Sequence, residues 1–283
     1  MNAIEIKHVR KSFDGFTLQD LTLALPTGCI MGLVGENGAG KSTTIKLIMN
    51  AIQADEGEIF VWGVSNQSKQ FLDLKKDIAV VLDEANFPIL LNIKQINLVM
   101  KLSPVNWNEQ LYFDYVNRFK LPLKKQFKDF SRGMKMKLSI AVALAQQPKL
   151  LILDEATSGL DPMIRDEILE IFNEFTRSEQ HSILISSHIV SDLEKICDYI
   201  TFIHKGQLVL SDDVDHIRDE YRILKVRESE LQDIPQDAII RSKKTSYGYE
   251  LLVRKQKINS VFQVEYTTLE DVVLFMAKGC VAC

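Results

Sequence analysis

The most informative stretch of the chain reads Gly35-Glu36-Asn37-Gly38-Ala39-Gly40-Lys41-Ser42-Thr43. An apolar segment that reads as a strand, Cys29–Val34, precedes it, and a helical pattern from Ser42 to about Ile52 follows. The spacing Gly-x-x-x-x-Gly-Lys-Ser is typical of a loop that wraps phosphate groups, because glycines let backbone N–H groups close around phosphate oxygens. The start of the following helix adds partial positive charge. An ordinary glycine-rich turn would not explain a Lys-Ser pair at that helix start.

The two polar residues at the helix start have separate tasks in such a loop. The Lys41 ammonium can reach the β- and γ-phosphates of a nucleotide, and the Ser42 hydroxyl can bind Mg²⁺. We therefore predict a segment that binds a nucleoside triphosphate and comprises Gly35, Asn37, Gly38, Ala39, Gly40, Lys41, Ser42 and Thr43.

A second signal lies where the apolar segment Leu150–Leu153 ends in Asp154 and Glu155. Two carboxylates at the end of a buried strand need a reason, because burying charge is costly. A parallel strand ends at the ligand edge of its sheet, where Asp154 can hold Mg²⁺ through water and Glu155 can polarise an attacking water. A plain strand-end pair that caps a helix is the alternative. Together, the loop and the acid pair predict a nucleoside triphosphatase.

The composition is that of a globular chain without a membrane span. The 283 residues include 34 Lys and Arg and 38 Asp and Glu, which give a net charge of −4 and no basic excess for nucleic acid. No stretch approaches the ~18 consecutive apolar residues of a membrane span, and the first residues lack a secretory signal. Cys29 and Cys197 are predicted to be buried thiols, and Cys280 and Cys283 to lie in a frayed terminus rather than in a metal or redox site. These features predict a cytoplasmic location.

Strand and helix patterns alternate up to about Asp212, which predicts an α/β domain with a largely parallel sheet. This domain is predicted to span 1–214 and to include a helical subdomain at about 87–147. This alternation of strand and helix patterns then ends. We expect a small α+β accessory domain over 215–283 that ends in a helix near Leu269–Ala277. The strand candidates in it are Arg222–Val226, Tyr249–Val253 and Val261–Tyr266.

Three further segments narrow the class of triphosphatase. They are Phe130-Ser131-Arg132-Gly133-Met134, at the start of a long predicted helix over Ser131–Gln147; Ser158-Gly159-Leu160-Asp161, shortly after the acid pair; and His188, after the strand Ser182–Ile185. With these segments in this order, the chain resembles the ATP-binding subunit of ABC transporters from residue 1 to about 212. In that family the segments are the signature motif, the D-loop and the switch histidine, and they accompany the Walker A loop and the Walker B acids.

The resemblance implies a P-loop NTPase core that binds ATP and Mg²⁺ and hydrolyses ATP at a dimer interface. It assigns Ser131, Gly133 and Asp161 to ATP binding, with the signature segment of one chain facing the P-loop of the other. It assigns Glu155 and His188 to catalysis, and an early aromatic residue, Phe13, to stacking on adenine. Taken alone, Phe13 also reads as a core or surface residue.

Two positions depart from the family pattern. The signature Leu-Ser-Gly-Gly-Gln reads Phe-Ser-Arg-Gly-Met here, so Arg132 and Met134 replace Gly and Gln, while the serine and the helix-start amides that bind phosphate are retained. The Gln after the strand Ile78–Leu82 is replaced by Asp83, which we expect either to face Mg²⁺ or to lie on a loop–helix surface. Both departures resemble bacterial ABC-2-type efflux ATPases, including those linked to antimicrobial or toxic peptides. The metal ligands predicted in this way are Ser42, Asp83 and Asp154.

The sequence thus predicts the ATP-hydrolysing subunit of a bacterial ABC transporter at the cytoplasmic face of the membrane. It would pair with a second ATPase subunit, identical or different, and energise a separate integral-membrane permease for export of a peptide or drug-like substrate. By family resemblance the docking surface lies within 87–119, although core packing is the alternative for several of its aromatic residues. The residues singled out there are Phe87, Pro88, Trp107, Tyr112 and Phe113.

Two rival functions remain open at this point. A soluble ABC-type ATPase that acts on nucleic acid or the ribosome usually carries two ATPase halves or long coiled-coil insertions, and this chain has one motif set and no heptad run. A binding protein with degenerate catalysis is disfavoured because Lys41, Asp154, Glu155 and His188 are all present.

Overall fold

The strands of the chain form two separate sheets, one large and one small. A computed structural model describes residues 1–83, 87–258 and 264–278. Across these residues the large sheet has ten strands in the order β5-β4-β1-β2-β10-β9-β3-β8-β7-β6, and the small sheet has four. The strands of the large sheet are β1 (Asn2–Phe13), β2 (Phe16–Pro26), β3 (Ile30–Val34), β4 (Glu56–Val61), β5 (Val64–Ser65), β6 (Ile78–Val81), β7 (Leu150–Asp154), β8 (Ser182–Ser187), β9 (Tyr199–His204) and β10 (Gln207–Asp213).

The helices lie between and beside these strands. Those that precede the small sheet are α1 (Lys41–Ile48), α2 (Phe71–Leu74), α3 (Ile93–Lys101), α4 (Glu109–Arg118), α5 (Arg132–Ala145), α6 (Pro162–Phe175), α7 (Val190–Ile196) and α8 (Val214–Glu220). The long helix predicted over Ser131–Gln147 is slightly shorter, since α5 covers Arg132–Ala145. Its start is displaced by one residue because Ser131 is the N-cap, with its side chain accepting a hydrogen bond from the Met134 amide.

One half of the large sheet is parallel, and it brings the loops that carry the predicted site residues to one edge. Strands β9, β3, β8, β7 and β6 run side by side in parallel, and every residue of β3 and β7 is buried. Burial on both faces explains why these strands read as unbroken apolar runs. Their carboxyl ends meet at one edge, so the loops after β3, β6, β7 and β8 come together there. The predicted α/β fold class is confirmed.

The other half of the sheet corrects the prediction of a largely parallel sheet. Strands β1 and β2 form an antiparallel hairpin, and β4 pairs antiparallel with both β1 and β5. Their sequences alternate buried and exposed residues, as at Leu21, Leu23 and Leu25, because one face packs on a core and the other faces solvent.

Helices α3, α4 and α5 occupy the segment predicted as a helical subdomain. Asn92 caps α3 in a capping box with Gln95, and the Asn108 side chain caps α4. Tyr112 is fully buried among these helices, its hydroxyl donates to the Ile93 carbonyl, and burial raises the pKa of that hydroxyl. The bounds 87–147 for this subdomain remain a prediction.

The small sheet and its helix form the α+β accessory part. Its elements are β11 (Tyr221–Val226), β12 (Ile239–Thr245), β13 (Gly248–Arg254), β14 (Val264–Glu265) and α9 (Leu269–Lys278), with strand order β12-β13-β11-β14. Sequence reasoning missed β12, although the glycine at 248 marks the turn of its hairpin. Residues 261–263 of the third predicted strand, and also Cys280 and Cys283, lie outside the described residues.

The accessory part packs directly on the large α/β part of the chain. Strand β10 continues into α8 and then into β11 without an intervening loop, and buried residues of α8 and α9 share one apolar cluster with Val190 and Leu193 of α7. Helix α7 begins two residues after His188, so the accessory part is packed beside that residue. The boundary at 214/215 stays a prediction.

Candidate functional site

The loop from Gly35 to Gly40 connects the buried strand β3 to helix α1. A Cβ on Gly35 would lie 2.4 Å from the Ile203 carbonyl oxygen, so no other residue fits there without a shift. Gly38 and Gly40 have positive φ angles of 82° and 117°, which glycine adopts without strain. Gly40 precedes α1 and provides no side-chain cap, so the first amides of α1 keep their hydrogen-bonding capacity for a ligand.

Lys41 lies folded into this loop. Its ammonium donates to the carbonyl oxygens of Gly35 at 2.7 Å and Glu36 at 3.2 Å, and the side chain is 5% exposed. The same nitrogen lies 3.1 Å from Oε1 of Glu155. The loop therefore holds a buried cation where phosphate binding requires one.

Glu155 is fixed from two sides. Its backbone adopts φ +53°, a left-handed conformation that costs a non-glycine residue roughly 1–2 kcal/mol. Its amide donates to the Ser186 carbonyl oxygen and to Ser186 Oγ, at 3.2 and 3.1 Å. The second carboxylate oxygen lies 2.7 Å from Nδ1 of His188. The predicted catalytic pair and the predicted phosphate-binding lysine thus lie in direct contact.

Asp154 lies beside this group and is buried. Ser186 Oγ donates to its Oδ1 at 2.6 Å across the β7–β8 pairing. Ser186 therefore orients both acids, one by its hydroxyl proton and the other by its oxygen atoms. Sequence reasoning did not single out Ser186; the available signal was a serine pair that ends the apolar run Ile183–Ile185.

The residues present fit a triphosphate and a magnesium ion. Within the described residues, the buried Thr157 Oγ1 has no hydrogen-bond partner, and Glu155 Oε1 has the Lys41 ammonium of its ion pair at 3.1 Å, so both atoms can take a further partner such as a bound water. The Ser42 hydroxyl and the Asp154 carboxylate are oxygen ligands of the type that Mg²⁺ prefers. When bound, the ion would neutralise developing charge on the phosphates.

Phe13 lies near the loop at the end of the β1–β2 hairpin. It is 45% exposed and pairs with Phe16, whose ring lies 3.2 Å from the position of a Cβ on Gly40. The Lys11 ammonium lies 5.6 Å from the centre of the Phe13 ring. An exposed aromatic face beside the loop suits stacking on a base, and this role stays a proposal.

The signature segment lies at a different place on the same edge. Ser131 is exposed at the start of α5, and Gly133 is buried where a Cβ would lie 2.8 Å from Ile164 Cδ1 of α6. Asp161 caps α6 by accepting from the Ile164 amide at 3.0 Å. Within the described residues, no hydrogen bond joins this segment to the loop around Lys41.

Asp83 contacts a residue that the sequence did not connect to it. Its Oδ1 accepts from Nη2 of Arg132 at 2.8 Å. Of the two roles left open for Asp83, this contact favours the loop–helix surface over magnesium binding.

The aromatic residues proposed for docking are mostly core residues. Tyr112 is buried, and Trp107 is partly buried with its Nε1 donating to Asn97 Oδ1 at 2.9 Å. The apolar side chains that are exposed in this region are different ones. We call them the apolar patch; they are Ile89, Leu90, Leu98, Val99 and Leu102, with exposures between 48% and 89%.

Comparison with known proteins places this geometry in a family. The chain matches the ABC transporter family over residues 18–158. It is 32% identical over 219 residues to the ABC transporter ATP-binding protein YtrB of Bacillus subtilis, covering 77% of this chain and 74% of the relative. It is 35% identical to the lantibiotic transport ATP-binding protein SrtF of Streptococcus pyogenes, over 75% of this chain and 91% of the relative. A solved ATP-binding subunit of an ABC transporter superposes with a TM-score of 0.67 at 28% identity, over 76% of this chain and 92% of that chain.

A phosphate-wrapping loop between a parallel strand and a helix, with an acid pair at the end of β7, which is separated from β3 by β8, defines a P-loop nucleoside triphosphatase. The chain belongs to the ABC transporter family. It is an ATP-binding subunit of the kind that hydrolyses ATP in these transporters. The relatives also include the bacitracin transport ATP-binding protein BcrA of Bacillus licheniformis, at 30% identity over 87% of this chain and 84% of the relative. The predicted resemblance to ABC-2-type efflux ATPases agrees with such relatives.

Proposed function

We propose that this chain hydrolyses MgATP at the edge formed by the loop around Lys41 and the acids after β7, and that hydrolysis drives export by a separate membrane permease. The observation that carries the proposal is the position of Glu155. Its carboxylate lies 3.1 Å from the Lys41 ammonium and 2.7 Å from the His188 ring, beside the phosphate loop.

Each residue at this edge has a separate task in the proposed reaction. Glu155 accepts the proton of the attacking water, and His188 orients the carboxylate through its Nδ1. Lys41 and the first amides of α1 bind the phosphates and match their charge. Ser42 and Asp154 would hold Mg²⁺, with Asp154 oriented by Ser186. Phe13 would stack on the base.

The complete site is proposed to need two ATPase subunits, identical or different. Ser131 and the first amides of α5 can bind phosphate, but they bond within their own helix start rather than to the loop around Lys41. In the family arrangement that the sequence resembles, the signature segment faces the nucleotide of the second chain. Binding of ATP would then join the two chains, and hydrolysis would release them.

The proposed permease is a separate chain, as in the family that the sequence resembles. Within the described residues, no helix is long and apolar enough to cross a membrane. The apolar patch is the proposed docking surface, since clustered exposed apolar side chains mark interaction sites and Leu98, Val99 and Leu102 are exposed at helical spacing along α3 and its C-cap. Docking there would place the chain at the cytoplasmic face of the membrane as a peripheral subunit. Relatives named for lantibiotic and bacitracin transport support a peptide-like substrate for export.

The test of this proposal is coexpression with the products of the neighbouring genes, where copurification of a polytopic membrane protein supports transport. Leu98→Asp and Leu102→Asp place a charge in the patch at exposed positions and should abolish copurification with that protein. Leu72→Asp is the matched control, because Leu72 is similarly exposed but lies on α2, outside the patch. Equal copurification of the patch and control variants would overturn the docking surface. A partner that binds nucleic acid or ribosomes instead would favour the rival function.

A further inference from the structure

The two positions at which this chain departs from the family pattern contact each other. Arg132 is the first residue of α5, and its Nη2 donates to Oδ1 of Asp83 at 2.8 Å, although 49 residues separate them. The side chains of both residues are about half exposed. The family pattern has Gly and Gln at these positions, so an ion pair stands where that pattern offers no pair of charges.

The guanidinium of Arg132 also lies against a third segment. A Cβ on Gly159 would lie 2.6 Å from Nη1 and 2.8 Å from Cζ of Arg132. Gly159 has a φ of +66° and lies in the loop that connects Glu155 to Asp161. The absence of a side chain at 159 therefore makes room for the planar guanidinium.

The three segments joined in this way lie at the sheet edge where Glu155 follows β7. Strand β6 pairs in parallel with β7, with Val81 opposite Leu153. Asp83 and Glu155 each lie two residues beyond that pair, so both leave the sheet at the same edge. Arg132 thus connects the start of the signature helix to the loop after β6 and to the loop after β7.

We infer that Arg132 is a positioning residue, which clamps the start of α5 to the two loops of its own chain through Asp83 and Gly159. This inference rests on the proposed function, because it concerns the presentation of Ser131 and the first amides of α5 to the nucleotide of a second chain. Arg suits the task, since its rigid guanidinium presents several donors, one of which binds Asp83 while Nη1 lies against Gly159. Asp83 also offsets the positive charge that Arg132 brings to a helix start, where the helix dipole opposes cations.

The clamp predicts a specific kinetic pattern for the full chain, assembled with its permease if turnover requires it. Arg132→Ala and Asp83→Asn should each lower kcat by about two- to fivefold, in line with the coupling energies of exposed ion pairs. KM for ATP should not change, because neither residue touches the phosphate loop of its own chain. The double variant should be no slower than the slower single variant, and Arg132→Lys should recover only part of the loss.

A matched control and a second measurement separate the clamp from general stability. Arg118 forms a bidentate ion pair with Glu174, with hydrogen bonds of 2.6 and 3.0 Å. Like Arg132 it is partly exposed, but it lies away from the site at the end of α4. Arg118→Ala should leave kcat unchanged. Amide exchange in a peptide that covers 130–137 should be faster in Arg132→Ala and Asp83→Asn than in the parent chain and in Arg118→Ala.

Two outcomes overturn the clamp. The first is a kcat in Asp83→Asn that equals or exceeds the parent value while Arg132→Ala is slow, because Arg132 would then act on the nucleotide and not through Asp83. The second is unchanged exchange over 130–137 in both variants. Glu155→Gln distinguishes a failure of the proposed function from a failure of the clamp alone. If it retains turnover, the proposed function fails; if it is inactive while the pattern above is absent, only the clamp fails.

Discussion

The ammonium of Lys41 lies 3.1 Å from Oε1 of Glu155, and both side chains are largely buried. The residue assigned to phosphate binding and the residue assigned to water activation therefore neutralise each other. A triphosphate that enters the loop must replace this carboxylate with phosphate oxygens at Lys41. The pair thus opposes nucleotide binding, and it keeps both side chains in place at the edge of the sheet.

Removing the charge of Glu155 should strengthen ATP binding. In Glu155→Gln the neutral side-chain amide competes more weakly for the ammonium and no longer repels phosphate, so Kd should fall about threefold, since a hydrogen bond between two charged groups is stronger than one to a neutral acceptor. Isothermal titration with MgATP measures this. Glu270→Gln is the control, because it removes a negative charge that lines a cavity beside Gly35 and His188 but is not the charge paired with Lys41. Weaker binding in Glu155→Gln would contradict the competition.

Lys41→Ala should weaken ATP binding and abolish hydrolysis. The variant loses the cation that matches phosphate charge inside the loop of backbone donors. Calorimetry with Mg²⁺ present measures the affinity, and phosphate release measures the turnover. An unchanged affinity would count against the assignment of the loop.

Stability should depend on His216 at the junction of the core and the accessory part. A hydrogen bond to Asp212, at 2.6 Å, is the main cause that raises the pKa of His216 above its usual value. The charged ring therefore stabilises the fold fully below the unfolded-state pKa of about 6.5, and this contribution is lost as pH rises through the higher folded-state pKa. His216→Gln should remove that fall in melting temperature between about pH 6 and 8. If the melting temperatures of both proteins change in parallel with pH over this range, the His216–Asp212 pair does not contribute to stability.

Ser131→Arg tests whether the site is shared between chains. The substitution places bulk at the start of α5, where the second chain's phosphate would bind. Fluorescent nucleotide titration should show unchanged binding by the monomer, whereas ATP-driven dimerisation and hydrolysis should be blocked. Mixing Ser131→Arg with Lys41→Ala chains should restore at most one working site per mixed dimer. Loss of nucleotide binding by the Ser131→Arg monomer would refute the shared site; if the partner is a different subunit, the mixing is done with that subunit.

Much of the site could be predicted from the sequence because its constraints are local. Gly35 and Gly40 are required by a close approach and by a positive φ, and both requirements are visible in the loop itself. The acids after β7 could be predicted because two charges that end a buried apolar strand are costly unless they bind a ligand or a partner group. These features depend on a few consecutive residues and not on packing between distant segments.

Contacts between distant segments could not be predicted in this way. Asp83 and Arg132 each stand out in the sequence as departures, but their ion pair depends on how α5 packs against the sheet. Tyr112 and Trp107 looked like docking residues because aromatic side chains serve both cores and interfaces, and only burial distinguishes the two cases. Strand β12 was missed because its residues are only partly buried and show a weak alternation.

The most direct test of the account is steady-state phosphate release by Glu155→Gln with saturating MgATP. Removal of a general base typically lowers the rate by about 10²–10⁴-fold, and Lys41, His188 and the loop remain in place to bind the nucleotide. We expect turnover to fall within that range while ATP binding is retained, with an ATP-bound dimer that doubles the mass in light scattering. Turnover within about twofold of the parent chain would contradict the assignment of Glu155 as the base that activates water, since losses that small lie far below the effect of a general base.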